Sequence, residues 1–506
     1  MTTIKYLSLT KPERFLVNVG RFFKGIGHGF VHFFKSIPSK LMSLFNKICA
    51  PFRTLAEAFK KGSWGVRTNF LVFGFYQLTH HEIMRGALYL LYEVVFIWYM
   101  ITTGGPYLGK LGSLGSFGPT SEYVVNPYEQ VTSPIAGDRS FSILLYSIVT
   151  FLLIIIFIVL WFYSIRDAKS LQDNNYVGRY SKDSQFFNDI LDKNYHTLLL
   201  AVPLVGLFGF TVIPVVFMII TGFTNYSGTQ FYLFDWVGFG NYQSLFSSSN
   251  AGGGSGLMTV FLKVLAWTLL WALIATFTNY FLGMVVALLI NKKGIKLKKL
   301  WRTVLILTIA VPQFVSLLLI NQMLSGNGIL TNLFRDWGWI QGDKAAFDYV
   351  VLSRILIIIV NMWVGVPYTM LICSGILMNI PEDLYESARI DGASSFKMYT
   401  AITLPYMLFI TGPYLLSQFI GNINNFNIIY LLSQGRPSLG LSALGYGDVG
   451  ETDLLITWIY KMSMEGQDKN YAVACALGVL VFVIIAVFSL IFYGNSNSVK
   501  NEEDFQ

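Results

Sequence analysis

The chain has 506 residues, 54% of them hydrophobic and only 13% charged, with a mean hydropathy of +0.54; a soluble domain carries about 25% charged residues, so a soluble enzyme gives way to a polytopic membrane protein. The net charge of +8 is uneven: residues 1–85 hold thirteen Lys/Arg against Glu13, Glu57 and Glu82, and a basic excess just before an apolar run points to a membrane surface rather than nucleic acid. Cys49, Cys373 and Cys475 lie too far apart in sequence for a disulfide framework or a metal-ligand spacing.

In chain order, residues 1–85 read as a basic, amphipathic, interfacial region. Phe15, Val19, Phe23, Ile26, Phe30, Phe34 and Ile37 recur at helical steps among Arg14, Arg21, Lys24 and Lys35. Gly20, Gly25, Gly27 and Gly29 interrupt them, so one or two short helices on the inner leaflet are expected. The first long apolar run begins near Gly86, too late for a cleaved leader.

Eight segments are long and apolar enough to span a bilayer, which takes about 20 residues: 86–103, 140–163, 198–221, 265–290, 303–323, 355–377, 407–431 and 472–492. Residues 86–197 hold two spans and a linker, 198–492 a six-span core, and 493–506 a tail. The architecture expected is an all-α polytopic membrane protein. The positive-inside rule puts both termini in the cytoplasm together with the basic loop Asn291–Arg302. The glycine-rich stretches 104–139, 222–263 and 432–471 then read as outer surface loops. Glu93 is the one obvious carboxylate in these spans, a functional suspect that snorkelling or a neighbour can also satisfy.

Residues 385–405, "YESARIDGASSFKMYTAITLP", interrupt the apolar pattern. Pro381 suits a first helical turn, and Glu382 and Asp383 suit a helix start. Gly392 ends or redirects this helix. Ser394 or Ser395 caps a second one through Phe396, Tyr399 and Ile402, and Pro405 ends that helix and opens the next span. The segment is a helix–turn–helix on the cytoplasmic face, too polar for lipid.

Glu386, Ser387, Ala388, three residues, Gly392, nine residues, Ile402, Thr403, Leu404 and Pro405 resemble the EAA loop of ABC importer permeases, with Ser387 where alanine is usual. From about Trp301 onward the chain is similar to the MalF-type permeases of maltose and oligosaccharide importers, on "NMWVGVPYTMLICSGILMNIPEDLYESARIDGA" and "FIGNINNFNIIYLLSQGRP". The resemblance implies that the Glu386–Gly392 region is a coupling helix docking on a cytoplasmic ATP-binding cassette ATPase dimer. It also implies a second, MalG-like permease subunit and no cofactor. The short loop 222–263 resembles that of permeases from monoderm bacteria, where a lipid-anchored extracellular sugar-binding protein delivers the solute.

A sugar site needs side chains that donate and accept together. Span seven carries Gln418, Asn422 and Asn425 on one stripe, with Asn427 at its edge. Span six carries Asn361, Gly365 and Tyr368, and span five carries Gln313 beside Pro312. At about 1.5 Å rise per residue, Asn361 and Asn425 lie about 9 Å from the outer ends of their spans, with Gln313 somewhat deeper. Pro312, Pro367 and Pro413 can kink the lining helices. Such amides also serve as interhelical glue worth under about 2 kcal/mol each, the reading adopted for Asn424 and Trp363. By the resemblance, Asn361, Asn422 and Asn425 align with sugar-contacting positions, as do Gln313, Val364, Gly365, Tyr368, Gln418 and Asn427. Gly421 and Ile309 replace aromatic residues of the maltose permease, so the site is shaped for maltose or for a longer or different oligosaccharide.

No G-x-x-x-x-G-K-[ST] phosphate loop occurs, so energy is expected from a partner. An ion-coupled secondary sugar transporter would call for more mid-membrane acids and paired interrupted helices. A membrane enzyme would call for a polar catalytic cluster, and the five histidines form no recognisable ligand motif.

Overall fold

The computed structural model describes residues 54–116, 123–125, 132–134, 138–178, 191–192, 195–246, 256–292, 294–439, 448–465 and 469–495. The expected helices at 15–37 and the tail beyond 495 lie outside them. Seven described helices are long and apolar enough to cross a membrane, eight if one bent pair counts as a single span. A short antiparallel ribbon pairs Tyr123–Val125 with Thr132–Pro134.

The chain divides into two compact units, with the break after Gly238. The first holds span one (Ile83–Lys110), span two (Ser140–Tyr176) and span three (Leu198–Thr221). The sequence reading grouped span three with the core. Here Phe141 of span two packs on Phe217 of span three, ring centroids 4.9 Å apart. Short helices Trp64–Thr68 and Phe75–Thr79 fold onto spans one and two through buried polar bonds. Asn69 Nδ2 donates to the Ser164 carbonyl and hydroxyl at 2.9 and 2.7 Å, and Asn69 Oδ1 accepts from Tyr76 N at 3.0 Å. Gln77 Nε2 donates to the Ser164 carbonyl at 3.0 Å. Glu93 is accounted for in the same way: it is buried, and its carboxylate accepts from Phe73 N at 2.8 Å. At the adjoining turn Gly74 has φ +73, and a Cβ there would stand 2.4 Å from the Gly86 carbonyl.

The second unit holds span four (Leu257–Asn291), the bent pair Lys298–Ala310 and Gln313–Met323, span six (Val350–Leu377), span seven (Ser395–Ser433) and span eight (Tyr471–Ile491). Span four is its spine. Its first turns pack Val260, Phe261 and Val264 against Trp458, Val473 and Leu477. Its middle packs Trp267, Trp271 and Ala275 against Leu317, Phe347, Ile357 and Ile428. Its last turns pack Tyr280, Met284 and Ala287 against Met370, Cys373 and Met407. Each cluster sits on residues spaced three or four apart, the period that keeps one helix face inward. Spans four and six cross closely at Gly283, where a Cβ would come 2.7 Å from Thr369 Cβ.

Two sequence expectations change and a third is sharpened. The fifth segment, where Pro312 was expected to kink the helix, turns by 85° between Ala310 and Gln313. Val311, held extended at ψ 127 by the proline that follows it, cannot continue the helix. Pro405 opens the next span as expected but does not end a helix before it. A wide turn at Tyr399–Thr403, closed by Leu404 N to Tyr399 O, leads straight into the helix Leu404–Ile423. Pro405 sits in its first turn, where a missing N–H costs little. Finally, 432–471 is more than a surface loop, because it contains the helix Leu455–Met464 with buried Leu455, Trp458 and Met462. Its spacing is amphipathic, and its buried Lys461 donates to Asp453 Oδ2 and to the Gln434 carbonyl, each at 2.8 Å.

Candidate functional site

Two groups of residues stand out from this scaffold. The first is the helix Glu382–Ile390, which follows Pro381 and opens with Glu382 and Asp383. It closes with the bonds that a left-handed glycine permits: Gly392 N donates to Arg389 O at 3.0 Å and Ala393 N to Ala388 O at 2.9 Å. Gly392 has φ +73, and a Cβ there would meet nothing within 4 Å, so backbone conformation is what selects glycine. Ser394 then caps the next helix, its hydroxyl accepting from Lys397 N. Tyr385 Oη lies 2.8 Å from Thr403 Oγ1 and ties the two helices together.

No residue of Glu382–Ile390 is buried. Ile390 is 87% exposed and Phe396 76%. Glu386, Ser387 and Gly392 are exposed, and Ala388 is half-buried. Ile402 lies in the wide turn, with Leu404 and Pro405 at the start of the following helix. The arrangement is a short, stiff arm with small residues on its surface and Leu384, Ile390 and Phe396 left uncovered.

The second group is a layer of amides between spans four, six and seven. Asn422 is 7% exposed. Its Nδ2 donates to Thr276 Oγ1 at 3.0 Å, its carbonyl accepts from Trp271 Nε1 at 3.2 Å, and its Oδ1 accepts from Asn425 Nδ2 at 3.4 Å. Asn425 also caps the short helix Phe426–Ile428. Asn361 is 3% exposed, and its Nδ2 has no hydrogen-bond partner. One turn further along span six, Gly365 receives the carboxamide of Asn279, which is 9% exposed. A Cβ on Gly365 would be 2.3 Å from Asn279 Nδ2, and Asn279 Oδ1 is also unpartnered. The next layer adds hydroxyls, with Tyr280 Oη 2.7 Å from Thr411 Oγ1 and Tyr414 Oη 3.3 Å from Thr369 Oγ1.

Of the residues singled out in the sequence, Asn422 and Asn425 are in contact, and Asn361 and Gly365 share a face of span six. Tyr368 is 51% exposed, its ring centroid 6.5 Å from that of Tyr414. Val364 and Gln418 are half-buried and Asn427 is exposed. Gln313 begins the helix beyond the 85° bend, half-buried. Among the described residues no hydrogen bond links Gln313, Gln418 or Asn427 to the Asn422–Asn425 pair. Sequence reasoning passed over Thr276 and Asn279. Their signal was the polar run Thr276, Thr278 and Asn279 in the middle of the mostly apolar span four.

Comparison with known proteins places the chain in a family. The family described as binding-protein-dependent transport system inner membrane component matches residues 279–498, which include the amide layer and the exposed arm. The galactooligosaccharide transport system permease protein GanP of Bacillus subtilis is 32% identical over 385 residues, covering 73% of this chain and 86% of that protein. The maltodextrin transport system permease protein MdxF of the same organism is 29% identical over 444 residues, covering 85% and 95%. The maltose/maltodextrin permease protein MalF of Escherichia coli is 36% identical over 244 residues, 47% of this chain and 45% of that protein. With the spans described above, this is a multi-pass protein of the bacterial plasma membrane that works with a solute-binding protein. By its family match and its relatives, the chain belongs to the binding-protein-dependent transport system inner membrane component family as a MalF-like ABC importer permease.

Proposed function

We propose that the chain forms half of the translocation path of an importer for oligosaccharides of the maltodextrin or galactooligosaccharide class. The observation that carries this reading is the uncovered arm Glu382–Ile390, held rigid by the Gly392 turn and tied to span seven through Tyr385 and Thr403. A cytoplasmic ATPase that seats Ile390 and Phe396 in a cleft would move span seven as it closes on nucleotide. Glu386, Ser387, Ala388 and Gly392 form the contact, and Ile402, Leu404 and Pro405 transmit it. The permease chain itself hydrolyses nothing. Its partners are a MalG-like second permease, an ATPase dimer and a lipid-anchored sugar-binding protein. Both termini face the cytoplasm of a monoderm cell.

The amide layer is the proposed sugar site. Asn361, Asn422 and Asn425 supply paired donors and acceptors, with Gln313, Val364, Gly365, Tyr368, Gln418 and Asn427 around them. In the present packing Asn361 and Asn422 are buried, so sugar contact requires spans six and seven to part. The test is uptake of labelled maltodextrin and galactooligosaccharide by cells expressing the chain with its partners. Uptake should survive a protonophore while ATP is maintained and stop when ATP is depleted. Uptake that follows the ion gradient instead would identify a secondary transporter.

A further inference from the structure

Where span two leaves its apolar stretch, it forms one wall of a cleft of about 300 Å³. The helical stretch 54–61 forms the other wall. Along the span-two wall, residues four apart change character in one direction: Phe162, then Arg166, then Ser170, then Asn174. Across the cleft Leu55 and Ala58 add apolar surface, packed in one cluster with Ile165 of span two. The cleft therefore has an oily end and a hydrogen-bonding end, the polarity of an amphiphile.

Its depth can be placed from the helix itself. Arg139 and Arg166 bracket the uncharged part of span two. They are 27 positions apart, about 40 Å at 1.5 Å per residue, which matches a bilayer with its headgroup layers, about 40–45 Å. Arg166 thus lies at headgroup level.

The charges in the cleft are selective. Lys169 is neutralised by Asp173 at 2.5 Å. The Arg166 guanidinium makes no hydrogen bond or ion pair among the described residues, nor does the Glu57 carboxylate on the opposite wall, and the two do not pair with each other. One cation and one carboxylate facing a shared amphipathic cleft complement a headgroup that carries both signs. We propose that this cleft binds a membrane phospholipid bearing a phosphate and a primary ammonium. Arg166 takes the phosphate, Glu57 the ammonium, and Phe162 and Leu55 the start of an acyl chain.

Native mass spectrometry of the full-length, delipidated protein offered defined lipids tests this. Phosphatidylethanolamine should be retained about fivefold more than phosphatidylcholine or phosphatidylglycerol, the effect of one charge contact near a membrane surface. Arg166→Gln should lose retention of all three, and Arg166→Lys should restore it. Glu57→Gln should abolish the preference for ethanolamine over glycerol headgroups. Free phosphoethanolamine should not compete, because it lacks the chain that the apolar end holds. Equal retention of all lipids by the wild type, unchanged retention by Arg166→Gln, or competition by free phosphoethanolamine would each overturn the site. Should Arg166→Gln fail to purify in folded form, the Glu57→Gln preference decides alone.

Discussion

The carboxamide of Asn279 rests on the backbone of Gly365, so close that any Cβ at position 365 would stand 2.3 Å from Asn279 Nδ2. Spans four and six meet through this contact in the middle of the amide layer. Glycine at 365 is thus a packing requirement set by a residue 86 positions away. Gly365→Ala should lower the melting temperature of the detergent-solubilised protein, at the cost of about 1–3 kcal/mol typical of overpacking. Asn279→Ala in the same chain should recover most of the loss. A double variant no more stable than Gly365→Ala would show that the strain lies elsewhere.

The Asn422–Thr276 bond couples spans seven and four. Removing the Asn422 side chain leaves a buried hydroxyl and the Asn425 amide short of a partner, worth about 1–3 kcal/mol. Asn422→Ala should therefore reduce both thermal stability and sugar uptake. Adding Thr276→Val should cost little more, because two residues that share one bond are not additive. Asn425→Ala, at a half-buried position, should raise the KM for uptake with a smaller change in melting. An Asn425→Ala protein with wild-type KM would remove that residue from the sugar site.

Gly392 is constrained by φ alone, since a side chain there would meet no neighbour. A β-branched residue at φ +73 pays about 1–2 kcal/mol, just past a nine-residue helix with no buried residue to offset it. Gly392→Val should abolish uptake and release of the ATPase on co-purification should accompany it, while membrane insertion and melting stay near wild type. Retained uptake at wild-type rate would dissociate the arm from coupling.

Asp453 and Lys461 form a buried ion pair at 2.8 Å, in which Asp453 also accepts from Gly450 N at 2.7 Å and from Thr457 Oγ1 at 2.9 Å. The pair pins the helix Leu455–Met464 to the turn at Gln434. Lys461→Met leaves a buried carboxylate without its cation and should cost about 3–5 kcal/mol, read as a large drop in melting temperature. Asp453→Leu combined with Lys461→Met should recover part of it. Loss of the same size in single and double variants would mean that the hydrogen bonds, rather than the charge, carry the contribution.

Much was legible along the chain. Six of the eight apolar segments coincide with an unbroken helical run, and 407–431 with one interrupted only at Asn424 and Asn425, because spanning length is set by bilayer thickness and can be counted in one dimension. The turn at Gly392 and the cap at Ser394 were equally readable, since capping depends on residues within four of one another. Pro312 marked the fifth segment as unusual, but a proline states that a helix is interrupted without stating by how much. The 85° bend depends on what the two halves pack against, such as Leu317 in the cluster around Trp271.

Sequence by itself determined the membrane class, the number of apolar segments and the arm that projects from them, for each follows from local length, period or spacing. Only the tertiary structure decided which polar side chains are enclosed. Asn279 faces Gly365, Asn422 faces Thr276, and Glu93 accepts from Phe73, partners that lie 20 to about 150 positions apart. A buried amide or carboxylate takes its meaning from the group that satisfies it, and in these helices that group comes from another segment of the fold.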